Sequence, residues 1–230
     1  MKKRSKRYKA LNDLIKNKKI SGIDSIFREI KTNSNAKFLE SVDLSFKINL
    51  KKIKAADSNI RIAIELPNGN GKKIKVAVLC EEGKLTEAKK SGAEISGADD
   101  LIKKISSGEI QFDKLICTPA MMPKIGKLGK ILGPKGLMPN PKLGTVSENI
   151  KTSVEKIKNK LVEIKNDKDG NLGLSIGRKS FTVEKLIENL KSVFEILKKD
   201  KPNIFNSENV KKIYLSSTMG LSFKLNFKDI

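Results

Sequence analysis

The residues best suited to chemistry in this chain lie between positions 126 and 144, where the sequence reads GKLGKILGPKGLMPNPKLG. Glycine lets a backbone approach a ligand closely, proline reduces the entropy lost when a loop becomes ordered, and lysine contacts phosphates. The string therefore predicts a stiff, positively charged loop, with Lys130 and Lys135 as candidate phosphate contacts. A structural connection with solvated lysines is the alternative interpretation.

The same residues could bind a nucleotide in an enzyme, but their spacing does not fit the known patterns. Neither GxxxxGK[ST] nor GxGxxG occurs in the string, and it holds no carboxylate for Mg²⁺. The chain has no histidine, the commonest general base, and Cys80 and Cys117 lack the spacing of a metal pair. We expect no catalytic residue, no metal site and no cofactor, and keep a phosphate-substrate enzyme as the rival class.

The net charge of the chain is +22, from 48 basic and 26 acidic residues. So large an excess favours a polyanionic partner, and nucleic acid is the first candidate. The first nine residues include Arg4, Lys6 and Arg7 and no acid, which predicts a basic arm that contacts phosphates. A lysine-rich composition without a binding role is the alternative.

A membrane partner is the third class, and the sequence lacks its signals. No window approaches the roughly 20 apolar residues of a spanning helix. No signal-peptide core follows the basic start, and the chain has no Trp to anchor an interfacial helix. We therefore expect a cytoplasmic protein without membrane contact.

Hydrophobic periodicity predicts the elements that must position these residues. Apolar residues at every second position over 42–50 and 60–66 predict half-buried strands, after a helical stripe over 23–30. Residues 74–118 alternate near-continuous apolar strands with short helices, which is typical of an α/β unit with parallel pairing. From about 160 the chain returns to strands around a long helix over 182–199. The predicted fold class is α/β, with an α+β pattern in the outer parts.

Breaks in composition divide the chain into two domains. The segment LPNGNGKK, residues 66–73, is typical of a turn or linker, and the outer thirds resemble each other more than the middle. We predict a discontinuous domain of residues 1–66 plus 159–230 and an inserted α/β domain at 67–158. Two hairpins are expected in the last third, one across the turn NDKDGN and one at Met219-Gly220.

Longer motifs show a family resemblance over nearly the whole chain. The string LGKILGPKGLMPNPKLGTV resembles the signature of the bacterial large-subunit ribosomal protein L-one family. The segments KRYKAL, AKFLESVDL, SNIR, NDKDG and STMG are similar to other blocks of that family, in the same order. The resemblance implies a non-enzymatic protein, with one domain built from both chain ends, a second domain inserted in it, and a hinge at residues 66–71 and 158–160.

The resemblance also implies partners. Family members bind a folded segment of large-subunit ribosomal RNA in the mobile stalk beside the tRNA exit site, and many bacterial members repress their own messenger RNA. We therefore expect ribosomal RNA, exit-site tRNA and the protein's own messenger RNA as partners, with a monomer when the protein is free. Matching blocks imply these RNA-recognition residues: Lys37, Phe38, Ser41, Asp167, Lys168, Ser216, Thr218, Met219 and Gly220.

These residue types suit folded RNA, which is recognised by its shape, its phosphates and its 2′-hydroxyl groups. Short hydroxyls contact ribose, and Phe38 and Met219 can cover a sugar or base with apolar surface. Structural roles are the alternative, with Phe38 or Met219 in a core and Asp167 in a turn. The chain lacks the His residues that many members carry after Pro67 and within LGLSIG, and we expect the second change to remove one polar contact to RNA.

Overall fold

The computed structural model describes residues 5–16, 22–50, 53, 59–159 and 161–227, without the side chains of Lys16, Lys142 and Asn159. The chain divides into two compact units. Unit 1 comprises Met1–Gly71 and Val162–Ile230, and unit 2 comprises Lys72–Leu161. Both units mix helices and strands, which confirms the predicted α/β fold class.

The secondary structure of the described residues follows the predicted order. The helices are α1 (Lys6–Lys16), α2 (Ile23–Asn33), α3 (Leu85–Lys90), α4 (Asp99–Ser106), α5 (Met122–Gly126), α6 (Gly129–Leu132), α7 (Ile150–Asn159) and α8 (Val183–Asp200). The strands are β1 (Ser41–Ile48), β2 (Arg61–Glu65), β3 (Val76–Leu79), β4 (Ile95–Gly97), β5 (Lys114–Cys117), β6 (Leu161–Lys165), β7 (Asn171–Arg178), β8 (Val210–Ser217) and β9 (Ser222–Leu225). Short 3-10 helices lie at Glu82–Lys84, Pro119–Met121 and Pro141–Leu143.

The larger sheet of unit 1 has the strand order β7-β1-β8-β9, and each neighbouring pair is antiparallel. Every second residue of β1 faces the core, so that Val42, Leu44, Phe46 and Ile48 are all buried. This face packs against α2 and α8, and the Phe46 and Phe194 rings meet edge-on with their centroids 5.2 Å apart. The alternate residues of β1 lie on the opposite, polar face of the sheet.

A second sheet of unit 1 pairs β2 with β6. The predicted hairpin across NDKDGN is confirmed only at its turn, where an isolated antiparallel bridge joins Asn166 to Leu172. Beyond this bridge β7 pairs with β1. Asn166 also bonds to the segment before β2. Its Oδ1 accepts the Ile60 amide at 2.7 Å, and its amide donates to the Ile60 carbonyl at 3.2 Å. The hairpin predicted at Met219-Gly220 is confirmed by the pairing of β8 with β9.

Unit 2 contains a three-stranded parallel sheet in the order β4-β3-β5. Strand β3 is buried on both faces. Ala77 and Leu79 pack with residues of α4, α5 and α6, whereas Val76 and Val78 pack with residues of α3 and α7. Burial on both faces explains why this strand has a continuous apolar sequence rather than an alternating one.

The glycine- and proline-rich string of unit 2 is more ordered than a loop. It includes the end of α5, the whole of α6 and the 3-10 helix at Pro141–Leu143. Ile125, Leu128 and Leu132 belong to the core of unit 2, at spacings that suit a helix. The interpretation as a loop is therefore confirmed only in part, because residues 133–140 form turns and irregular structure whereas helical segments anchor the string in the core. Exposed lysines lie between and after them: Lys127, Lys130 and Lys135.

Part of the predicted hinge segment 66–71 is hydrogen-bonded within unit 1. Asn189 of α8 is fully buried and donates to the carbonyls of Gly69 and Ile176 at 2.9 and 2.7 Å. Its Oδ1 accepts the Asn68 amide at 3.0 Å, and Asn68 Nδ2 donates to Glu188 at 2.7 Å. Asn68 and Gly69 are therefore held against helix α8.

Candidate nucleic-acid interface

One end of the unit 1 sheet joins two of the predicted recognition segments. Strand β1 begins at Ser41, beside the end of β8. The Ser41 amide donates to Thr218 Oγ1 at 3.0 Å, and the Thr218 amide donates to the Ser41 carbonyl at 3.1 Å. Residues 37–41 and 216–220 therefore form one surface, which we call the recognition edge.

A buried carboxylate lies beneath the recognition edge. Glu40 has no exposed surface, and its Oε1 and Oε2 accept the amides of Ala36 at 3.1 Å and Met219 at 3.0 Å. Burial alone would raise the pKa of Glu40. The two amides, the Ser217 hydroxyl and the charge of Arg7 outweigh burial and hold this pKa below its ordinary value of 4.5. Glu40 is therefore ionised at neutral pH.

Apolar side chains project from the recognition edge. Phe38 and Met219 are 53% and 49% exposed, so neither has the alternative core role. Gly220 lies where an added Cβ would come within 2.2 Å of Ser217 Oγ, and a side chain there would displace a buried hydroxyl. Exposed apolar groups can cover a ribose or a base, and the short hydroxyls beside them can hydrogen-bond to its polar atoms.

A groove of about 380 Å³ opens beside Met219. It is lined by residues of α1 and its start and of the recognition edge: Ser5, Arg7, Tyr8, Thr218, Met219 and Gly220. Arg7 Nη2 donates to the Met219 carbonyl at 2.6 Å, whereas Arg7 Nη1 is buried without a hydrogen-bond partner among the described residues.

The predicted residues Asp167 and Lys168 lie in the turn between β6 and β7. The Asp167 carboxylate accepts the side-chain amide and the backbone amide of Asn171, each at 2.6 Å, and the Asp169 amide at 3.0 Å. These hydrogen bonds lower the pKa of Asp167, the side-chain bond from Asn171 having the largest effect. Asp167 thus shapes the turn, as the alternative interpretation holds, and Lys168 is exposed for contact with a phosphate.

The structure does not bring all the predicted recognition residues to one point. Ser41 begins β1, whereas the Asp167 turn lies beside the other end of β1, where Lys47 Nζ donates to the Asp169 carbonyl at 2.8 Å. An extended strand from Ser41 to Lys47 spans about 20 Å. The recognition edge and the Asp167 turn are therefore two separate candidate contact points at opposite ends of the sheet.

The polar face of the sheet connects these two contact points. On this face Ser45 lies between Gly173 and Tyr214, and Tyr214 lies beside Lys224. A groove of about 750 Å³ crosses the face next to the Asp167 turn, and its lining includes Tyr214 and three lysines: Lys47, Lys211 and Lys212. Cations around an aromatic ring suit a nucleic-acid strand, because they bind phosphates where a base can stack.

Sequence reasoning missed Glu40 and the lysines of this groove. A β-bulge exposes both Lys211 and Lys212, since Lys47 pairs with Lys212 but Ile48 pairs with Val210. Two polar residues in succession within an alternating pattern are the signal that could have shown this bulge. Glu40 had no such signal, because its burial depends on partners far away in the sequence.

The predicted secondary phosphate contacts fall in different parts of the molecule. Lys6 is exposed on α1, and Arg7 lines the groove beside Met219. Lys130 and Lys135 are exposed in unit 2. Arg4 lies outside the described residues.

The buried cysteines are poor nucleophiles. Burial raises the pKa of Cys80 and raises that of Cys117 to about 12, so both thiols stay protonated at neutral pH. Across the described ranges, no cluster of three or more His, Cys, Asp or Glu side chains could hold a metal ion. The described helices include none long and apolar enough to cross a membrane.

Comparison with known proteins decides the family. Residues 30–221 match the Ribosomal protein L1p/L10e family. This chain belongs to that family. Large ribosomal subunit protein uL1 of Pelagibacter ubique is 50% identical over 222 residues, which cover 96% of each chain. The uL1 protein of Kosmotoga olearia is 44% identical over 230 residues, and uL1c of Phaeodactylum tricornutum is 41% identical over 228 residues, covering 99% or more of each chain.

Membership in the L1p/L10e family confirms the resemblance predicted from the sequence motifs. The match over residues 30–221 includes the whole recognition edge, the Asp167 turn and all of unit 2. Because the relatives align over nearly their full lengths, both units have counterparts in them.

Proposed function

We propose that this L1p/L10e family member is a structural RNA-binding protein of the large ribosomal subunit, held in the subunit's stalk through unit 1. The names of its relatives, large ribosomal subunit proteins uL1, support a ribosomal and non-enzymatic role. The recognition edge is the observation that carries RNA binding, because hydrogen bonds hold it in shape on a chain with a net charge of +22.

In this proposal, unit 1 contacts a folded RNA at two points on one sheet. At the recognition edge, Phe38 and Met219 cover a sugar or base while Ser216 and Thr218 bond to 2′-hydroxyls. Thr218 Oγ1 already accepts the Ser41 amide, which leaves one lone pair for RNA. The second point is Lys168, roughly 20 Å along the sheet, where the ammonium binds a phosphate. An RNA must present both features at this separation to be recognised.

The remaining lysines supply affinity that does not depend on RNA sequence. Lys47, Lys211 and Lys212 lie beside the Asp167 turn and would bind phosphates around the second contact point. Each phosphate neutralised releases counterions, so this part of the affinity falls steeply as salt rises. Specificity therefore comes from the recognition edge, and association rate and salt dependence come from the lysines.

Unit 2 is proposed to contact tRNA at the exit site and to take part in its release. Lys127, Lys130 and Lys135 are exposed on a string whose apolar residues are fixed in the core of unit 2. Lysines held on an ordered protein segment can bind the phosphates of an RNA, and such contacts do not depend on the RNA sequence. This surface belongs to a different unit from the recognition edge and so could act on a second RNA.

Repression of the protein's own messenger RNA is proposed to use the same recognition edge. A surface that recognises RNA shape binds any transcript that forms the same fold. Ribosomal RNA and messenger RNA would then compete for one site. Excess free protein, as a monomer, would occupy the messenger RNA only after its ribosomal RNA sites are filled.

The proposed function is tested by comparing the stalk fragment of the large-subunit ribosomal RNA with a scrambled RNA of equal length and composition. Affinities of the purified chain are measured across a salt series. If six to ten phosphates are bound, the scrambled RNA loses roughly 10³- to 10⁵-fold in affinity between 50 and 200 mM salt. We expect the stalk RNA to stay bound where the scrambled RNA is released. Equal affinity for both RNAs at every salt concentration would contradict specific recognition.

A further inference from the structure

Among the described acidic residues, Glu40 alone is fully buried. Burying a carboxylate costs free energy unless hydrogen bonds and nearby positive charge offset the loss of water. An apolar side chain of similar size would fill this position without that cost. Packing alone therefore does not explain Glu40, and its hydrogen bonds have to be considered.

The Glu40 side chain joins two separate parts of the recognition edge. One oxygen accepts the amide of Ala36, which precedes Lys37 and Phe38 in the loop after α2. The other accepts the amide of Met219, in the turn between β8 and β9. The Glu40 backbone carbonyl also accepts the Lys179 amide at 2.9 Å. One residue thus connects the loop after α2, the β8-β9 turn and the end of β7.

The Met219 peptide is held on both sides. Its amide donates to Glu40, and its carbonyl accepts Arg7 Nη2 at 2.6 Å. The Ser217 hydroxyl, which also bonds to Glu40, lies directly under Gly220. The turn that presents the Met219 side chain to solvent is therefore fixed from below by a charged group.

We propose that Glu40 is a positioning residue for RNA recognition, which holds the amides of Ala36 and Met219 and so fixes both halves of the recognition edge before RNA arrives. This inference rests on the proposed function and explains how that site is preorganised. A surface ordered in advance loses less conformational entropy on binding. This gain in affinity applies to an RNA that fits the surface, and not to an RNA bound by charge alone.

A substitution by glutamine separates this role from simple packing. Gln has nearly the same volume as Glu, but only its Oε1 accepts hydrogen bonds, and its amide group donates. In Glu40→Gln, either Ala36 or Met219 must therefore lose its acceptor. A lost hydrogen bond to a charged group corresponds to about ten- to hundredfold in affinity where binding depends on that geometry.

The experiment measures affinities of the wild-type chain, Glu40→Gln and Glu195→Gln for stalk RNA and scrambled RNA across the same salt series. Glu195 is an exposed carboxylate on α8, so Glu195→Gln makes the same change in charge away from the recognition edge. We expect Glu40→Gln to lose about ten- to hundredfold in affinity for stalk RNA only. Its affinity for scrambled RNA and its salt dependence should match those of Glu195→Gln.

Two results would overturn the proposal for Glu40. In the first, folded Glu40→Gln keeps the wild-type preference for stalk RNA. In the second, it binds both RNAs more weakly by the same factor. If the wild-type chain itself shows no preference, the proposed function fails, and that result is distinct from either of these.

Amide hydrogen exchange of the wild-type chain decides the matter if Glu40→Gln does not fold. The Ala36 and Met219 amides lie in a loop and a turn, yet both should exchange slowly and open together, because one carboxylate holds them. Leu39, a residue that is 46% exposed, supplies the reference amide. Exchange of Ala36 or Met219 as fast as that of Leu39 would overturn the positioning role.

Discussion

At the scale of single residues, Met219 combines a fixed backbone with an exposed side chain. Glu40 and Arg7 hold its peptide group on both sides, while its side chain remains 49% exposed. A single exposed apolar side chain is common on protein surfaces, but Met219 shares the recognition edge with Phe38, which is also exposed. In the proposed function, RNA covers this pair of apolar side chains.

Substitution of Met219 by alanine should weaken specific binding. Burying an apolar side chain of this size contributes about 1.5–3 kcal/mol, so Met219→Ala should reduce affinity for stalk RNA roughly 10- to 100-fold. Leu14→Ala is the matched control, because Leu14 is 64% exposed in unit 1 but lies on α1. Equal affinities of the two variants for stalk RNA would argue against a contact at Met219.

Substitution of Gly220 by alanine should disturb the recognition edge from inside. The added Cβ would lie 2.2 Å from Ser217 Oγ and displace the hydroxyl that bonds to Glu40. Overpacking of this kind costs about 1–3 kcal/mol in the free energy of unfolding, which urea denaturation measures. Gly173→Ala is the control, because no atom lies within 4 Å of its added Cβ. A Gly220→Ala protein as stable as Gly173→Ala would contradict the close packing at this turn.

The ionised state of Glu40 predicts a dependence of stability on pH. Because the pKa of Glu40 is lower in the folded chain than its ordinary value of 4.5, its contribution is fully present above that value. The contribution is lost as the pH falls through the lowered folded pKa. The difference in unfolding free energy between wild type and Glu40→Gln should therefore be largest near about pH 7 and shrink below about pH 4. A constant difference across this range would mean that Glu40 is not ionised in the fold.

At the scale of elements, hydrogen bonds from α8 fix the segment that leaves unit 1. Fully buried Asn189 satisfies two carbonyls and one amide with a single side chain. Asn189→Ala would leave these groups without partners, and each unsatisfied buried group lowers the free energy of unfolding by about 1–3 kcal/mol. Urea denaturation should show a loss of at least about 2 kcal/mol. The exposed Lys191→Ala on the same helix should change stability little, and an equally small effect of Asn189→Ala would show that water replaces the side chain.

Strand β1 and the string at 126–144 show how far sequence patterns predict these elements. Alternation over 42–50 predicted β1 and its buried face, although the strand ends at Ile48, because a sheet with one covered face imposes a period of two. The pairing of β6 with β2 was not predictable from the turn NDKDGN, since Asn166 bonds to Ile60 in a distant part of the chain. At the start of the string, glycine and proline hid the helical spacing of Leu128 and Leu132 with the preceding Ile125.

The exposed residues of the candidate site were predictable because they belong to a sequence motif. The buried residues that support them were not. Family resemblance predicted the positions of Phe38 and Met219, and the structure adds that both are exposed. Glu40 stands in the same motif, but two of its three hydrogen-bond donors, Ser217 and Met219, are brought to it only by the fold. Within LGLSIG, Gly173 leaves the polar face of the sheet open beside Ser45.

At the scale of the whole molecule, the net charge of +22 sets how the protein responds to salt. Repulsion among like charges destabilises the free chain, and salt screens it over a Debye length of about 10 Å at 0.1 M. The melting temperature of the free protein should therefore rise with added salt while its affinity for RNA falls. A melting temperature that does not change between low salt and about 0.2 M would show that the lysines are too far apart to repel.

Nuclear magnetic resonance of the isotope-labelled chain, with and without stalk RNA, tests RNA recognition by unit 1 most directly. We expect the signals of Phe38, Met219 and Lys168 to shift together at one RNA equivalent, in salt that releases scrambled RNA, while those of the buried residues of α7 stay unchanged. Shifts confined to the lysines of unit 2, or identical shifts with scrambled RNA, would contradict recognition by the two contact points of the sheet.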